Sequence, residues 1–277
     1  MANGIELTTL PHVKAWLNIE ESNTDADYFL TRLIKSASQF ALNYMQRDSM
    51  AAVAYNEIYD GYGNSFMVLR QYPAIDVVSL SFNGIQIPEA TGNGITTPFA
   101  NGYVLEAPKS APAQQRLSLF GRMFPHQRSS VYVSYRAGYL KVAEPHVVPD
   151  DPGPYSFQTD ITWLEDEGVT LTDGTPLTRV FVEPADLNDM QYCVSDAGVY
   201  SFSDYQALAP VLVSYSYVPA DVEQAVWELV GERYRAQDRI GVNSKSLGGQ
   251  ETVSYDIRAM SPYIRELLNP YKRVVPV

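Results

Sequence analysis

The chain has 277 residues, 45% of them hydrophobic and 12% aromatic, enough to bury a core; this excludes a disordered chain and makes about two domains the expectation. With 32 acidic and 20 basic residues, net −12, it lacks the basic footprint of a general phosphate-backbone binder. No stretch approaches the ~18 consecutive apolar residues of a membrane span, MANGIELTTL lacks the basic start and apolar run of a secretory signal, and the single Cys193 excludes an intramolecular disulfide framework or a cysteine zinc cluster. A cytosolic setting fits that cysteine usage.

The charge is unevenly placed. Residues 141–218 hold 13 acidic residues against two basic ones, Lys141 and Arg179, while the rest of the chain is nearly balanced at 19 against 18. Such a composition shift reads as an inserted module.

Thr9 as N-cap, Pro11 in the first turn and Val13, Trp16 and Leu17 on one face predict a helix over 8–18. A second helix follows at 24–47. Thr24 and Asp27 open it in the manner of a capping box, and Ala26, Leu30, Leu33, Ile34, Ala37, Ala41, Tyr44 and Met45 form one buried stripe opposite Arg32, Lys35 and Gln39. The period then changes to two. Residues 65–70, 75–82 and 130–135 are β-rich, and Asn83-Gly84 between apolar runs predicts a type I′ hairpin. Gly61-Tyr-Gly63 reads as a turn and residues 90–101 as a loop.

Four prolines in 144–154 suggest a linker into the insert. Within the insert, 161–164, 178–182, 190–194, 198–202 and 210–217 are short strand candidates with turns at Asp173-Gly174 and Asp196-Ala197-Gly198, which suggests a small sandwich or barrel. The run Val131-Tyr-Val-Ser-Tyr135 matches Val211-Leu-Val-Ser-Tyr215, either as a repeat or as two strands drawn from one β-favouring alphabet. Helix returns at 221–238 with Asp221 as cap and Gly241 as stop; 241–250 reads as a loop; Ser261-Pro262 opens a short helix to Leu268, and Pro270 ends it. The fold class expected is α+β: a helical core from both chain ends, a β section, and an inserted small all-β module of sandwich or barrel type.

No catalytic constellation emerges. His12, His126 and His146 share no metal-ligand spacing, and neither a GxSxG elbow nor a phosphate loop is present. Cys193 falls in an expected strand as a core thiol. Glu165-Asp166-Glu167 could supply paired carboxylates for glycoside hydrolysis, but adjacent loop carboxylates ordinarily face solvent. The chain is therefore read as not an enzyme, with no cofactor. Glu223, Glu228, Glu232, Arg233, Arg235 and Arg239 line the exposed side of the late helix, either as a solvated face or as a contact with an adjacent copy. In the insert, Trp163, Tyr192, Tyr200 and Tyr205 are candidate contacts or core. The tail carries Tyr271, Val274 and Val275, which gain by being covered, on this chain or on a neighbour.

Several pieces, in order, resemble head–tail connector (adaptor, head-completion) proteins of tailed bacteriophages. They are Leu7-Thr-Thr-Leu-Pro-His-Val-Lys-Ala-Trp-Leu-Asn-Ile19, the helix FLTRLIKSAS from Phe29 to Ser38, Leu69-Arg-Gln-Tyr-Pro73 leading into a strand and hairpin, Val133-Ser-Tyr-Arg-Ala-Gly-Tyr139, Val218-Pro-Ala-Asp-Val-Glu-Gln-Ala-Val226, Arg239-Ile-Gly-Val-Asn-Ser-Lys-Ser246 and Pro270-Tyr-Lys-Arg-Val-Val275. The order is the specific signal; the chain departs from the family by its insert, part of which resembles small β modules of other phage structural proteins.

The resemblance implies a division into a connector core at 1–140 and 219–277, the acidic insert at 141–218, and a docking tail at 269–277. It implies a homo-oligomeric ring of roughly twelve copies, each using two complementary faces. The ring would sit under the portal protein at the capsid vertex of the virion, at the head–tail junction, on a chain made in the host cytoplasm. There it completes the head after DNA packaging, offers a platform to the tail or next neck protein, and lets DNA pass without sequence-specific binding or any membrane. Pro270, Tyr271, Lys272, Arg273, Val274, Val275 and Pro276 would leave their own domain to dock on the portal or a neighbour. The alternative is a virion binding or decoration protein whose acidic module recognises a glycan or another virion protein.

Overall fold

The computed structural model describes residues 6–92, 97–106, 115–150, 155–159, 161–236, 244–247, 251–254 and 260–273. Among them the chain is α+β, with helices at both ends of the sequence and strands between, nearly all antiparallel. Contacts gather it into two compact units. One comprises Met1–Asp48, Thr159–Thr162 and Val218–Lys272; the other comprises Ser49–Gln158, Trp163–Tyr217 and Arg273–Val277.

The first unit is helical: α1 (Leu10–Leu17), α2 (Asp27–Met45), α3 (Ala220–Ala236) and α4 (Pro262–Leu268). The stripe expected on α2 is buried at Leu30, Ile34, Ala37, Ala41 and Met45 and half-buried at Leu33 and Tyr44, Leu42 is buried beside it, and α3 buries Val222, Ala225, Val226, Leu229 and Val230. The helix starts differ in part from expectation. Thr9 has extended backbone, but its hydroxyl makes no cap bond. The Thr24 capping box does not form, because α2 begins three residues later behind Ala26 and Asp27 pairs instead with Lys14 at 2.6 Å. Ser261 does cap α4, its hydroxyl accepting from the Ile264 amide at 3.4 Å. The loop expected at 241–250 is corrected by an antiparallel hairpin, β15 (Ser244–Leu247) with β16 (Glu251–Ser254), spanning Gly248-Gly249 in the sequence. Gly241 lies outside the described residues.

The second unit has two hydrophobic cores. The first is enclosed by β1 (Val53–Tyr62), β2 (Phe66–Val68), β3 (Ala74–Phe82), β4 (Ile85–Ile87), β5 (Gly102–Leu105), β6 (Arg116–Phe120) and β7 (His126–Ala137), in sheets ordered β1-β7-β3-β4 and β2-β6-β5. Asn83 and Gly84 both take positive φ, 53° and 74°, as the predicted turn between β3 and β4 requires. Strand β1 has no counterpart in the sequence expectations, and Gly61 lies within it rather than in a turn. Its period is hidden because Glu57 lies among the inward positions, where it accepts from the hydroxyls of Tyr59 and Tyr135 at 2.5 and 2.7 Å.

The second core lies between the sheets β10-β14-β8 and β11-β12-β13-β9. These strands are β8 (Leu140–Val147), β9 (Tyr155–Gln158), β10 (Trp163–Leu171), β11 (Thr178–Arg179), β12 (Gln191–Val194), β13 (Val199–Phe202) and β14 (Pro210–Tyr217). The expected linker at 144–154 is therefore a strand over its first four residues. Pro145 is tolerated because β8 lies at the end of its sheet, where an N–H can be missing without breaking a ladder. The two matching runs play the same part. Val131, Val133 and Tyr135 on β7 and Val211, Val213 and Tyr215 on β14 are all buried, each on an interior strand of its sheet.

The two cores meet at Gly138-Tyr139. The Tyr139 amide donates to the Met50 carbonyl at 2.9 Å, and its carbonyl accepts from the Tyr217 amide at 3.1 Å. Beside this seam Arg136 pairs with Glu167 at 2.7 Å.

Candidate functional site

The residues singled out by sequence fall in three places. The C-terminal segment is the first. After α4, Asn269–Tyr271 form a 3-10 turn, and Tyr271 is buried. Its hydroxyl donates to Asp221 at 3.2 Å, and its carbonyl accepts from Arg47 at 2.5 Å. The Tyr44 hydroxyl donates to the Asn269 side chain at 2.8 Å, and the Lys272 ammonium lies 3.8 Å from the centre of the Tyr44 ring. The expectation that the tail departs from its own domain is thus corrected for 269–272: an aromatic ring that needs covering is covered by its own helical unit. Arg273 donates to Glu57 of β1 at 3.2 Å. Val274, Val275 and Pro276 lie outside the described residues.

The α3 face is the second. Glu223 does not lie on the exposed side. It is 7% exposed and accepts from the Thr8 hydroxyl at 3.0 Å, with His12 Nδ1 at 2.7 Å. The Trp227 indole donates to the same Thr8 oxygen at 2.6 Å. The reason is electrostatic: Glu223 is in the first turn of α3, where a carboxylate is favoured, and Thr8, just before α1, and His12 of α1 lie against it. Arg233 is half-buried, donating to Ser36 at 3.1 Å with its guanidinium 5.1 Å from the Phe40 ring; burial pulls its pKa down. Glu228 accepts from Gln224 at 3.2 Å along its own helix. Glu232 and Arg235 are exposed, and Arg239 lies outside the described residues. Part of the expected contact face therefore serves the packing of α1 and α2.

The insert is the third. Tyr192 and Tyr200 are buried, and Trp163 packs on the same core with its indole donating to the Tyr200 hydroxyl at 3.1 Å. Their rings pack the inside of the module. Tyr205 lies in the 3-10 turn Asp204–Gln206, its side chain outside the described set.

What sequence reasoning missed is the carboxylate these rings surround. Asp166, expected to face solvent, is only 3% exposed at its side chain. It accepts from Tyr192 at 2.8 Å and Tyr200 at 3.0 Å, and Arg179 approaches at 3.5 Å. Burial first, then the Asp166 charge, pushes both tyrosine hydroxyls well above their ordinary value, so they stay protonated donors. The signal that could have located it was Gly168, which follows two residues later at a bulge and takes φ 121°.

Chemically these are fastening groups. The Cys193 thiol is buried and pushed up by burial, which keeps it from acting as a thiolate. Among the described residues no group of three or more His, Cys, Asp or Glu side chains is placed to hold a metal, and no helix is long and apolar enough to cross a membrane.

No family model and no curated protein matches the chain. Among solved structures, the chain is similar to one described as the neck of an empty GTA particle computed with C6 symmetry. That likeness has a TM-score of 0.41 at 13% identity, over 99% of this chain and 93% of that one.

Proposed function

We propose that this chain is a structural protein of the neck of a phage-like particle, an adaptor that forms a ring beneath the portal, completes the filled head and carries the tail. It performs no reaction of its own. One observation carries the reading: the connector-like pieces, from opposite ends of the sequence, fold into one helical unit. Thr8 and His12 meet Glu223, Trp227 meets Thr8, and Tyr44 and Arg47 meet Asn269 and Tyr271, across sequence separations above 200 residues. A long insertion is compatible with that arrangement, because loop closure grows in cost only slowly with length.

Particles made without the chain should fill with DNA, leak it and carry no tails, and an affinity label on the chain should image at the vertex between head and tail. Intact tailed particles lacking the chain, or a label elsewhere on the particle, would sink the proposal.

A further inference from the structure

We propose that the segment Phe181–Asp186 of one copy docks on the outer stripe of α2 of a second copy. This contact rests on the ring reading above and gives the ring one of its repeated joints.

The first half is a knob on the acidic module. Phe181 is 86% exposed and Val182 44% exposed. The ring is not loose: the Arg179 guanidinium lies 4.9 Å from its centre, and Arg179 is itself held by the buried Asp166. The chain beyond is stiffened by Pro184 and the 3-10 turn Pro184–Asp186, which presents Glu183 and Asp186 to solvent. An aromatic ring kept open to water on a braced segment loses little conformational freedom when it is covered.

The second half is cationic. Residues 28–46 contain two basic side chains, Arg32 and Lys35, both exposed, and no acidic one, in a chain of net charge −12. Tyr28, Arg32 and Lys35 share one exposed face of α2, spanning about 10 Å at the helical rise. Tyr28 is 76% exposed and has the Arg32 guanidinium 5.8 Å from its ring. An acidic aromatic knob and a basic aromatic stripe are complementary in sign and in apolar content. Each copy carries both halves, and both are exposed in the single chain. Different patches that fit each other make a heterologous contact, the kind that closes rings.

The test uses the full-length chain in two charge-reversed forms, Arg32→Glu with Lys35→Glu, and Glu183→Lys with Asp186→Lys. All four side chains are exposed, so thermal melting by circular dichroism should match the parent. Native mass spectrometry should show each variant failing to assemble under conditions where the parent does. An equimolar mixture should recover assemblies, since every joint in an alternating ring is again opposite in sign. Phe181→Ala should raise the dissociation constant about 30-fold, as loss of an aromatic anchor does. Assembly that survives both reversals overturns this contact and leaves the ring standing. A mixture that stays dissociated, or capture by the stripe of a different acidic partner, overturns it too. A parent that stays monomeric also overturns it, while imaging of particles decides the neck reading separately.

Discussion

At the scale of single residues, stability concentrates in carboxylates that have been drawn inward. Asp166 is held by two tyrosine hydroxyls and Arg179. Asp166→Ala would leave those three donors without their shared acceptor inside the module. Breaking a buried charged cluster from one side costs about 3–5 kcal/mol, so denaturant unfolding of the variant should show a loss of that size. Glu144 behaves differently. Burial alone would raise its carboxyl, but the Tyr215 hydroxyl, His146 and Lys141 together outweigh it and hold the group below the ordinary carboxylate value. A carboxyl more acidic folded than unfolded contributes stability above its unfolded pKa, and the contribution disappears as pH falls through the folded value. The stability gap between the parent and Glu144→Gln should therefore be full at pH 7 and shrink below about pH 4.5. Urea melts across that range measure it, and a gap that does not change with pH would remove the charge from the explanation.

At the scale of elements, the link between α1 and α2 depends on one buried lysine. Lys14 donates to the carbonyls of Glu21 and Asn23 at 3.0 and 2.8 Å and pairs with Asp27. A single ammonium thus satisfies a turn that has few apolar contacts of its own, and sets where α2 starts. Lys14→Met preserves the length of the stem but withdraws the donors. The expected result is faster amide exchange over 19–26 and a loss of about 3 kcal/mol, the lower end for an orphaned ion-pair partner. Unchanged exchange in that turn would assign its order to the surrounding packing instead. The strand elements show the same dependence on inward polar groups. Tyr59 and Tyr135 share Glu57, and Tyr215 donates to Glu144, so β7 and β14 each fasten to a neighbouring strand through a tyrosine–glutamate bond.

At the scale of the strand unit, two cores are coupled across a narrow seam. Arg136 on β7 reaches Glu167 on β10 at 2.7 Å, with 34% and 20% of the two side chains exposed. A pair this open is screened and adds about 0.5–1 kcal/mol. A double-mutant cycle with Arg136→Ala and Glu167→Ala should return a coupling energy in that range. Coupling near zero would mean that the seam is held by Tyr139 and its backbone bonds alone. The modest figure suits a module that carries most of the chain's negative charge yet must stay on its scaffold.

The α2 stripe, the Ser261 cap, the Asn83-Gly84 hairpin and the central strands β7 and β14 were legible because local rules govern them: helical period, cap chemistry, positive φ and alternation. The same rules concealed β1 and β8. Glu57 replaces an apolar inward residue in one and is accepted there through its cross-strand partner Tyr135, and Pro145 signals a linker in the other and is accepted because that strand is an edge. Composition located the acidic module without revealing that its middle carboxylate is internal, since burial of Asp166 depends on Tyr192, Tyr200 and Arg179 arriving from other strands. Likewise, helical spacing placed Glu223 on an outer face, and that face is turned inward by Thr8, just before α1, and His12 of α1. The sequence by itself determined the kinds of elements, their order and the separation of charge along the chain, because these follow from neighbours a few residues apart. Which charged and aromatic groups are spent inside, and which stay open to a partner, was decided only by the tertiary structure, because the groups that satisfy them come from as far as 225 positions away.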